Sequence, residues 1–310
     1  MSKRKYSPAS DYIVPLNIND LQGRMLKAPS TSMKKREILM IYGHHSSLER
    51  MIGFAEELRR YGNVTMPDLP GFGGMDSLYS VKSKPTLDNL ADYLAAFVKL
   101  RYKRKRLTII GMSFGFLIAT KMLQKYPDIA QKVDLVISVV GFVHHEDFIL
   151  PNKIKLPLRV MASIFSRKVP AWFMQNFILN APVIRLTYKL GGDKNSKLKG
   201  FNEQERKKLV DFEIILWKIN DIRTYMDTTI TMFRANVCDT QIGSPVHHVA
   251  AEVDRYFDNH RVEQHLEIIY EAVYVIPVNS KVHAPTVVAT PKEAAEFIPT
   301  KLRRLLSKQP

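Results

Sequence analysis

The sequence predicts an α/β fold: a mostly parallel sheet with helices on both faces and an inserted helical cap. In the first half of the chain, short apolar runs alternate with segments of helical periodicity, as they do when crossover helices join buried parallel strands. The alternation stops between residues 144 and 236, where aromatic and Met-rich helical pieces follow one another, and then resumes. We therefore predict a core made of residues 11–143 and 237–310, a helical cap at 144–236 and a basic N-terminal tail at 1–10.

Local signals place the individual elements. Leu48, Ile52 and Leu58 share one face of a predicted helix that Gly62 ends, and Thr86 stands where it can cap the next helix. The predicted elements are, in chain order, an antiparallel edge pair (11–29), a strand (36–43), a helix (47–62), a strand (63–70), a helix (86–100), a strand (106–113), a helix (114–127), a strand (133–142), two late strands (244–254 and 271–279) and a closing helix from 290.

Composition limits the classes of protein that fit. With 45% hydrophobic and 25% charged residues in a chain of 310, the protein is globular, and no apolar run is long enough to cross a bilayer. The basic N-terminus has no hydrophobic segment behind it, and Cys238 is the single cysteine. The sequence therefore predicts a cytoplasmic protein without disulfides.

The formal net charge of +16 is concentrated in the predicted cap. The stretch from Pro151 to Arg234 contains 16 Lys or Arg against 7 Asp or Glu. A solvated basic face is the simplest interpretation, and an anionic substrate or a weak association with an anionic membrane surface are the alternatives. Because no nucleic-acid-binding signature accompanies the charge, we expect no nucleic acid partner. The oligomeric state is not predicted.

The pentapeptide GMSFG lies between a predicted strand and a predicted helix, with Ser113 at its centre. A turn this sharp requires small residues on either side of the serine, and Gly111 and Gly115 meet that requirement. The serine then stands at the carboxyl end of a central strand, where helix-terminal N–H groups face developing negative charge. This context predicts that Ser113 is a nucleophile.

A serine hydroxyl needs a neighbouring base, and the chain has nine histidines. His283 follows the last predicted strand, so its loop opens at the same sheet edge as Ser113 and makes it the predicted base. His260 and His265 fall in a helical stretch and are expected at the surface. The remaining six form three tandem pairs, which are His44 and His45, His144 and His145, and His247 and His248. None of the pairs has the pattern of a chelating motif, so no metal is expected. No other cofactor is expected either.

A carboxylate must fix the tautomer of the base. The loop after the penultimate strand offers Asp254 as the first candidate and Asp258 as the second. Asp147, directly after an earlier strand, is the rival candidate. With Asp254 the chain order is Ser, Asp, His.

An oxyanion hole needs two converging N–H groups. The amide of Phe114, next to the nucleophile, supplies one. The loop after the first buried strand supplies the other, since Gly43 lets the chain turn and the amide of His44 follows it.

Three motifs in order give the chain a resemblance to the α/β-hydrolase superfamily, in particular to its capped esterase, lipase and C–C-hydrolase-like branch. ILMIYGHHSS resembles the strand and oxyanion loop of that family, MPDLPGFGGMDS is similar to its D-x-P-G-x-G-x-S motif, and GMSFG to its nucleophile elbow. The resemblance spans roughly residues 20 to 305. The family commonly has histidine where Tyr42 stands. The DLPGFGG loop is expected to form a structural wall of the site.

The motifs together predict a serine hydrolase that cleaves a small-molecule carboxylic ester or thioester through an acyl-enzyme. The substrate is expected to be apolar, and the basic cap leaves an anionic substrate open. Two alternatives stay open. One is a non-catalytic ligand-binding or scaffold protein on the same fold, because folds do not fix functions. The other is a C–C bond hydrolase or a lipid esterase at a membrane surface.

Overall fold

The described part of the chain forms one eight-stranded sheet. The computed structural model describes residues 7–103, 105–191, 202–280 and 290–308. The strands are β1 (Ile13–Ile18), β2 (Leu21–Ala28), β3 (Arg36–Ile41), β4 (Gly62–Pro67), β5 (Leu107–Met112), β6 (Val133–Val139), β7 (Val246–Ala251) and β8 (Val273–Val278). They lie in the order β1-β2-β4-β3-β5-β6-β7-β8, and β2 is antiparallel to both of its neighbours while the strands from β4 to β8 are parallel. The predicted fold class and the antiparallel pair at the sheet edge are confirmed.

Helices cover the sheet, and a run of them interrupts it. Among the described residues they are α1 (Ile52–Leu58), α2 (Leu87–Arg101), α3 (Phe114–Lys125), α4 (Pro127–Ala130), α5 (Asn152–Phe165), α6 (Lys168–Phe173), α7 (Ala181–Gly191), α8 (Glu203–Ile219), α9 (Ile222–Met232), α10 (Asn259–Ile269), α11 (Pro291–Glu296) and α12 (Thr300–Ser307). Outside the sheet plane, α1 packs on α11, and α2 packs on α3. The sequence between β6 and β7 supplies α5 to α9, which fall inside the predicted cap segment 144–236.

The central strand β5 is buried along its whole length, because β3 and β6 flank it and helices cover both faces. In register, Gly111 of β5 pairs with Ile41 of β3 and Ser138 of β6. The carboxyl ends of the three strands therefore lie side by side, and the loops that leave them meet at one edge of the sheet. That edge is where α/β folds place their ligands.

The helical insertion has a small apolar core of its own, separate from the main core around the sheet. Ala162 of α5, Ala171 of α6, and Ile222 and Met226 of α9 form it. Within the described ranges, no helix is both long and apolar enough to cross a membrane.

Candidate active site

Ser113 stands in a strained turn between β5 and α3. Its backbone has φ 47° and ψ −119°, a conformation that L-residues rarely adopt and that is typical of functional turns. Its carbonyl oxygen accepts the first helical hydrogen bond, from the amide of Phe116 at 3.0 Å. The side chain of Ser113 is partly exposed, whereas its neighbours Met112 and Phe114 are buried. The fold thus presents one hydroxyl at the end of an otherwise buried strand, which is the position that a nucleophile elbow requires.

Both glycines of GMSFG are required by close backbone contacts. A Cβ atom on Gly115 would lie 2.4 Å from the carbonyl oxygen of Tyr42 and 2.5 Å from that of Ile41. A Cβ atom on Gly111 would lie 2.5 Å from the Cα atom of Phe116. The start of α3 can therefore approach the end of β3 only because residue 115 has no side chain.

Gly115→Ala should lower the free energy of unfolding by at least about 2 kcal/mol, because backbone carbonyls cannot move aside as a side chain could. Alanine at a helical position would otherwise stabilise by up to about 1 kcal/mol, so the sign of the change is diagnostic. Urea denaturation followed by circular dichroism measures it. Gly243→Ala is the control, since no atom lies within 4 Å of its added Cβ. Equal stabilities of the two variants would contradict the packing argument.

The loop after β3 runs beside the nucleophile. A Cβ atom on Gly43 would lie 3.2 Å from the Cβ atom of Ser113, so the loop passes within van der Waals distance. In the described part of the chain, the amide N–H of His44 meets no acceptor. The amide of Phe114 is at the first position of α3, where a helix offers no acceptor. The two amides predicted to bind an oxyanion are therefore next to Ser113 and available.

The imidazole of His44 is held by the helical insertion. Its Nε2 lies 2.9 Å from Thr228 Oγ1 and 3.3 Å from the carbonyl oxygen of Tyr225. Burial, with a further contribution from His45, lowers its pKa to about 3. The ring is therefore neutral at physiological pH and lines the cavity.

Tyr42 organises the DLPGFGG loop. It occupies the position at which the α/β-hydrolase superfamily commonly has histidine. Its hydroxyl donates to Asp68 Oδ1 at 2.9 Å and accepts from the amide of Leu69 at 2.8 Å. Arg24 binds the second oxygen of Asp68 at 3.2 Å, although burial still raises the pKa of that carboxyl group to about 7. These contacts support the predicted structural role of the loop.

Asp254 lies in the loop after β7, at the sheet edge that carries Ser113. Its Oδ1 accepts from the amides of Tyr256 at 2.8 Å and Phe257 at 3.2 Å, which fixes the carboxylate next to two residues that line the cavity. The predicted base, His283, lies outside the described residues. The preceding strand β8 pairs in parallel with β7, so both strands end at this edge.

The two alternative acids have other partners. Asp258 caps α10, where Oδ1 accepts from the amides of His260 at 3.1 Å and Arg261 at 3.4 Å. Asp147 is fully buried, and its Oδ1 lies 2.6 Å from Nδ1 of His265. His265, predicted at the surface, is instead mostly buried by this contact.

His144, Glu146 and His265 bring nitrogen and oxygen atoms to within 4.8 Å of one another. Nδ1 of His144 accepts from the amide of Glu146 at 3.2 Å, which favours the tautomer with its proton on Nε2. The cluster is better explained as a cap of the short helix His145–Asp147.

A second buried histidine, His248 on β7, shapes the response to acid. Its Nδ1 lies 2.9 Å from Ser138 Oγ, and burial lowers its pKa to about 4. Because the pKa of His248 is lower in the folded chain than in the unfolded chain, the unfolded chain binds the proton first as the pH falls from 6.5 to 4. The stability that the neutral ring contributes is therefore present above pH 6.5 and is lost as the pH falls towards 4.

In His248→Asn, the free energy of unfolding should fall by about 3 kcal/mol less than in the wild type as the pH drops from 6.5 to 4. At neutral pH the variant should be less stable than the wild type, because the packing around residue 248 changes. The test is the slope of the unfolding free energy against pH in urea titrations from pH 7 to 4. His260→Asn, which changes an exposed histidine, should keep the wild-type slope. A wild-type slope in His248→Asn would show that other groups dominate.

A cavity of about 390 Å³ opens above Ser113, between the sheet edge and the helical insertion. Its wall is mainly apolar and includes three phenylalanines and five methionines. The unbranched side chains of the methionines can adapt to ligands of irregular shape. The methionines are Met51, Met112, Met161, Met226 and Met232.

One side of this cavity is charged. Glu213 of α8 is 3.4 Å from Arg50 and 3.5 Å from Nε2 of His45. Sequence reasoning missed this group, because 163 positions separate Glu213 from Arg50 and no local pattern connects them.

Comparisons with known proteins place the family and the fold. The family model described as serine aminopeptidase, S33, matches residues 32–272. Comparison with curated proteins finds no match. Three similar solved structures show the fold: a thermophilic esterase from Thermogutta terrifontis (17% identity, 96% of this chain and 99% of the other, TM-score 0.61), the epoxide hydrolase CorEH (15%, 95% and 96%, 0.62), and the enol-lactonase from Burkholderia xenovorans LB400 (10%, 95% and 100%, 0.64). Because the family model covers more than half of the sequence, the chain belongs to the serine aminopeptidase S33 family and is an α/β-hydrolase enzyme.

Proposed function

We propose that the protein hydrolyses carboxylic esters or thioesters with an apolar acyl group, using Ser113 as the nucleophile. The observation that carries the proposal is the backbone of Ser113. It is held at φ 47° at the end of a buried strand, with its side chain lining an apolar cavity. Strain of this kind persists where it serves a function.

In the proposed mechanism, Ser113 Oγ attacks the carbonyl carbon while the imidazole of His283 takes the hydroxyl proton. The carbonyl oxygen becomes an oxyanion, and the amides of His44 and Phe114 donate to it. The intermediate collapses, His283 gives its proton to the departing alcohol or thiol, and the acyl group stays on Ser113. Water, deprotonated by His283, then attacks the acyl carbon; the bond to Ser113 Oγ breaks, Oγ takes the proton back from His283, and the acid leaves. Asp254 holds the imidazole and stabilises its protonated form.

The helical segment 144–236 acts in this proposal as a cap that gives the cavity its outer wall. Helices α5 and α9 supply Leu158, Met161, Met226 and Thr229 to that wall. An apolar wall favours a hydrocarbon acyl chain, since burial of each methylene group contributes about 0.8 kcal/mol to binding. No step in this mechanism calls on a cofactor.

A fluorophosphonate probe tests the proposal, because it forms a stable adduct only with an activated serine. Mass spectrometry should place the adduct on Ser113, and labelling should disappear in both Ser113→Ala and His283→Ala. Ser32→Ala, which changes an exposed serine, should label like the wild type. An unlabelled Ser113 in folded protein would contradict the proposal. A series of p-nitrophenyl esters from acetate to dodecanoate measures which acyl chain length the protein prefers.

A further inference from the structure

The outer part of the cap is basic and contains no acid. Between Ile149 and Leu190 the sequence has seven Lys or Arg and no Asp or Glu. The segment includes α5, α6 and α7. We call residues 149–190 the cap face. A stretch of this length with charges of one sign is unusual for a solvated surface, which normally mixes both signs.

The cap face is also strongly apolar on its outside. In the described chain, 21 large apolar side chains are exposed by about a third or more, and 13 of them belong to the cap face. Its buried side chains are only Lys155, Ala162, Ala171 and Ile184. Soluble monomers rarely leave a large continuous apolar patch in water, and such patches mark interaction sites.

Three exposed aromatic rings of the cap face form one cluster. Trp172 is 59% exposed, Phe173 49% and Phe177 54%. Their rings contact one another: the centroid of Phe177 lies 5.8 Å from that of Trp172 and 5.0 Å from that of Phe173. Amphipathic helices at a membrane interface insert tryptophan and phenylalanine side chains and carry lysine and arginine on their polar face.

Helix α5 joins the cap face to the cavity. Leu158, Met161 and Ala162 line the cavity, whereas Leu156 and Val160 of the same helix are 60% and 54% exposed. A ligand that held the exposed side of α5 would therefore lie one helix diameter from the space above Ser113.

We propose that the cap face docks on an anionic membrane surface, with Trp172, Phe173 and Phe177 inserted at the level of the headgroups. Charge complementarity selects this occupant, because six of the seven Lys or Arg side chains of the cap face are not buried and a leaflet of anionic lipids is negative. A second copy of the chain would oppose these charges with the same sign. The inference rests on the exposed surface and does not depend on the proposed hydrolase chemistry.

Co-sedimentation with large unilamellar vesicles tests the proposal directly. With the inactive Ser113→Ala chain, we expect at least tenfold stronger binding to phosphatidylcholine vesicles that contain phosphatidylglycerol than to pure phosphatidylcholine. Rising salt should weaken binding, because it screens the charges. Binding by this variant is independent of turnover, so failure of docking and failure of the proposed activity are separate results. Absence of binding to anionic vesicles would overturn the docking proposal.

Trp172 reports on its own insertion, because Trp217 is the only other tryptophan. In a Trp217→Phe background, the emission of Trp172 should shift to shorter wavelength when anionic vesicles are added. Emission that stays at the wavelength of an exposed tryptophan while the protein sediments with vesicles would overturn the assignment of this surface.

The double variant Trp172→Ser, Phe177→Ser should lose at least tenfold in vesicle binding and keep its folded state, since both side chains are exposed. Met33→Ser is the matched control, because Met33 is 96% exposed but lies outside the cap face. Equal binding by the double variant and the control would overturn the proposal. So would sedimentation velocity that shows a dimer lost only in the double variant, because a second copy would then be the occupant.

Discussion

Ser113→Ala should lower kcat/KM for the best p-nitrophenyl ester by at least a thousandfold, which corresponds to about 4 kcal/mol of transition-state stabilisation. The change removes the oxygen that is proposed to attack and leaves the cavity and the amides of His44 and Phe114 in place. Initial rates, together with active-site titration of the wild type, measure the effect. The thermal midpoint should stay close to that of the wild type, because only one partly exposed hydroxyl is removed. Residual activity within tenfold of the wild type would assign the chemistry to another residue.

Asp254→Asn should lower kcat by about a thousandfold or more, with little change in the free energy of unfolding. The amide keeps an oxygen that can accept from the amides of Tyr256 and Phe257, but it loses the charge that steadies a protonated base. The measurement pairs single-turnover rates with urea denaturation of the same preparation.

The rival acids provide controls with the opposite signature. Asp147→Asn should cost about 3 kcal/mol or more of stability, because the buried carboxylate also accepts from the amides of Val143 and His144, both at 2.9 Å. Asp258→Asn should cost less than about 1 kcal/mol, since asparagine caps helices nearly as well as aspartate. If either variant lost turnover and kept its stability while Asp254→Asn stayed active, the acid of the proposed triad would have to be reassigned.

The parts of the site that the sequence predicted are those encoded locally. The elbow is a single turn, and its requirement for small residues can be read from five consecutive positions. The apolar runs also predicted where β3, β5 and β6 begin, to within one residue, because the later part of each strand is buried; the predicted strands ran one to three residues past the observed carboxyl ends. Local patterns of this kind survive folding because the main chain itself imposes them.

The parts that could not be predicted are contacts between distant segments. His265 was expected at the surface, but it meets Asp147, which lies 118 positions earlier in the chain. The ring of His44 is fixed by Thr228, 184 positions away. Such pairs depend on how the helical insertion packs over the sheet edge, and helical periodicity predicts an apolar face without specifying its partner.

The strained backbone of Ser113 bears on how this chain evolves. A residue held at a positive φ costs of order 1–3 kcal/mol, and glycine would relieve much of that cost. A single mutational step, from serine to glycine, would therefore make the protein more stable and abolish the nucleophile. In a lineage released from selection for catalysis, drift should remove this serine early. Under the proposed function, the serine is kept in a position that penalises it because turnover requires its hydroxyl.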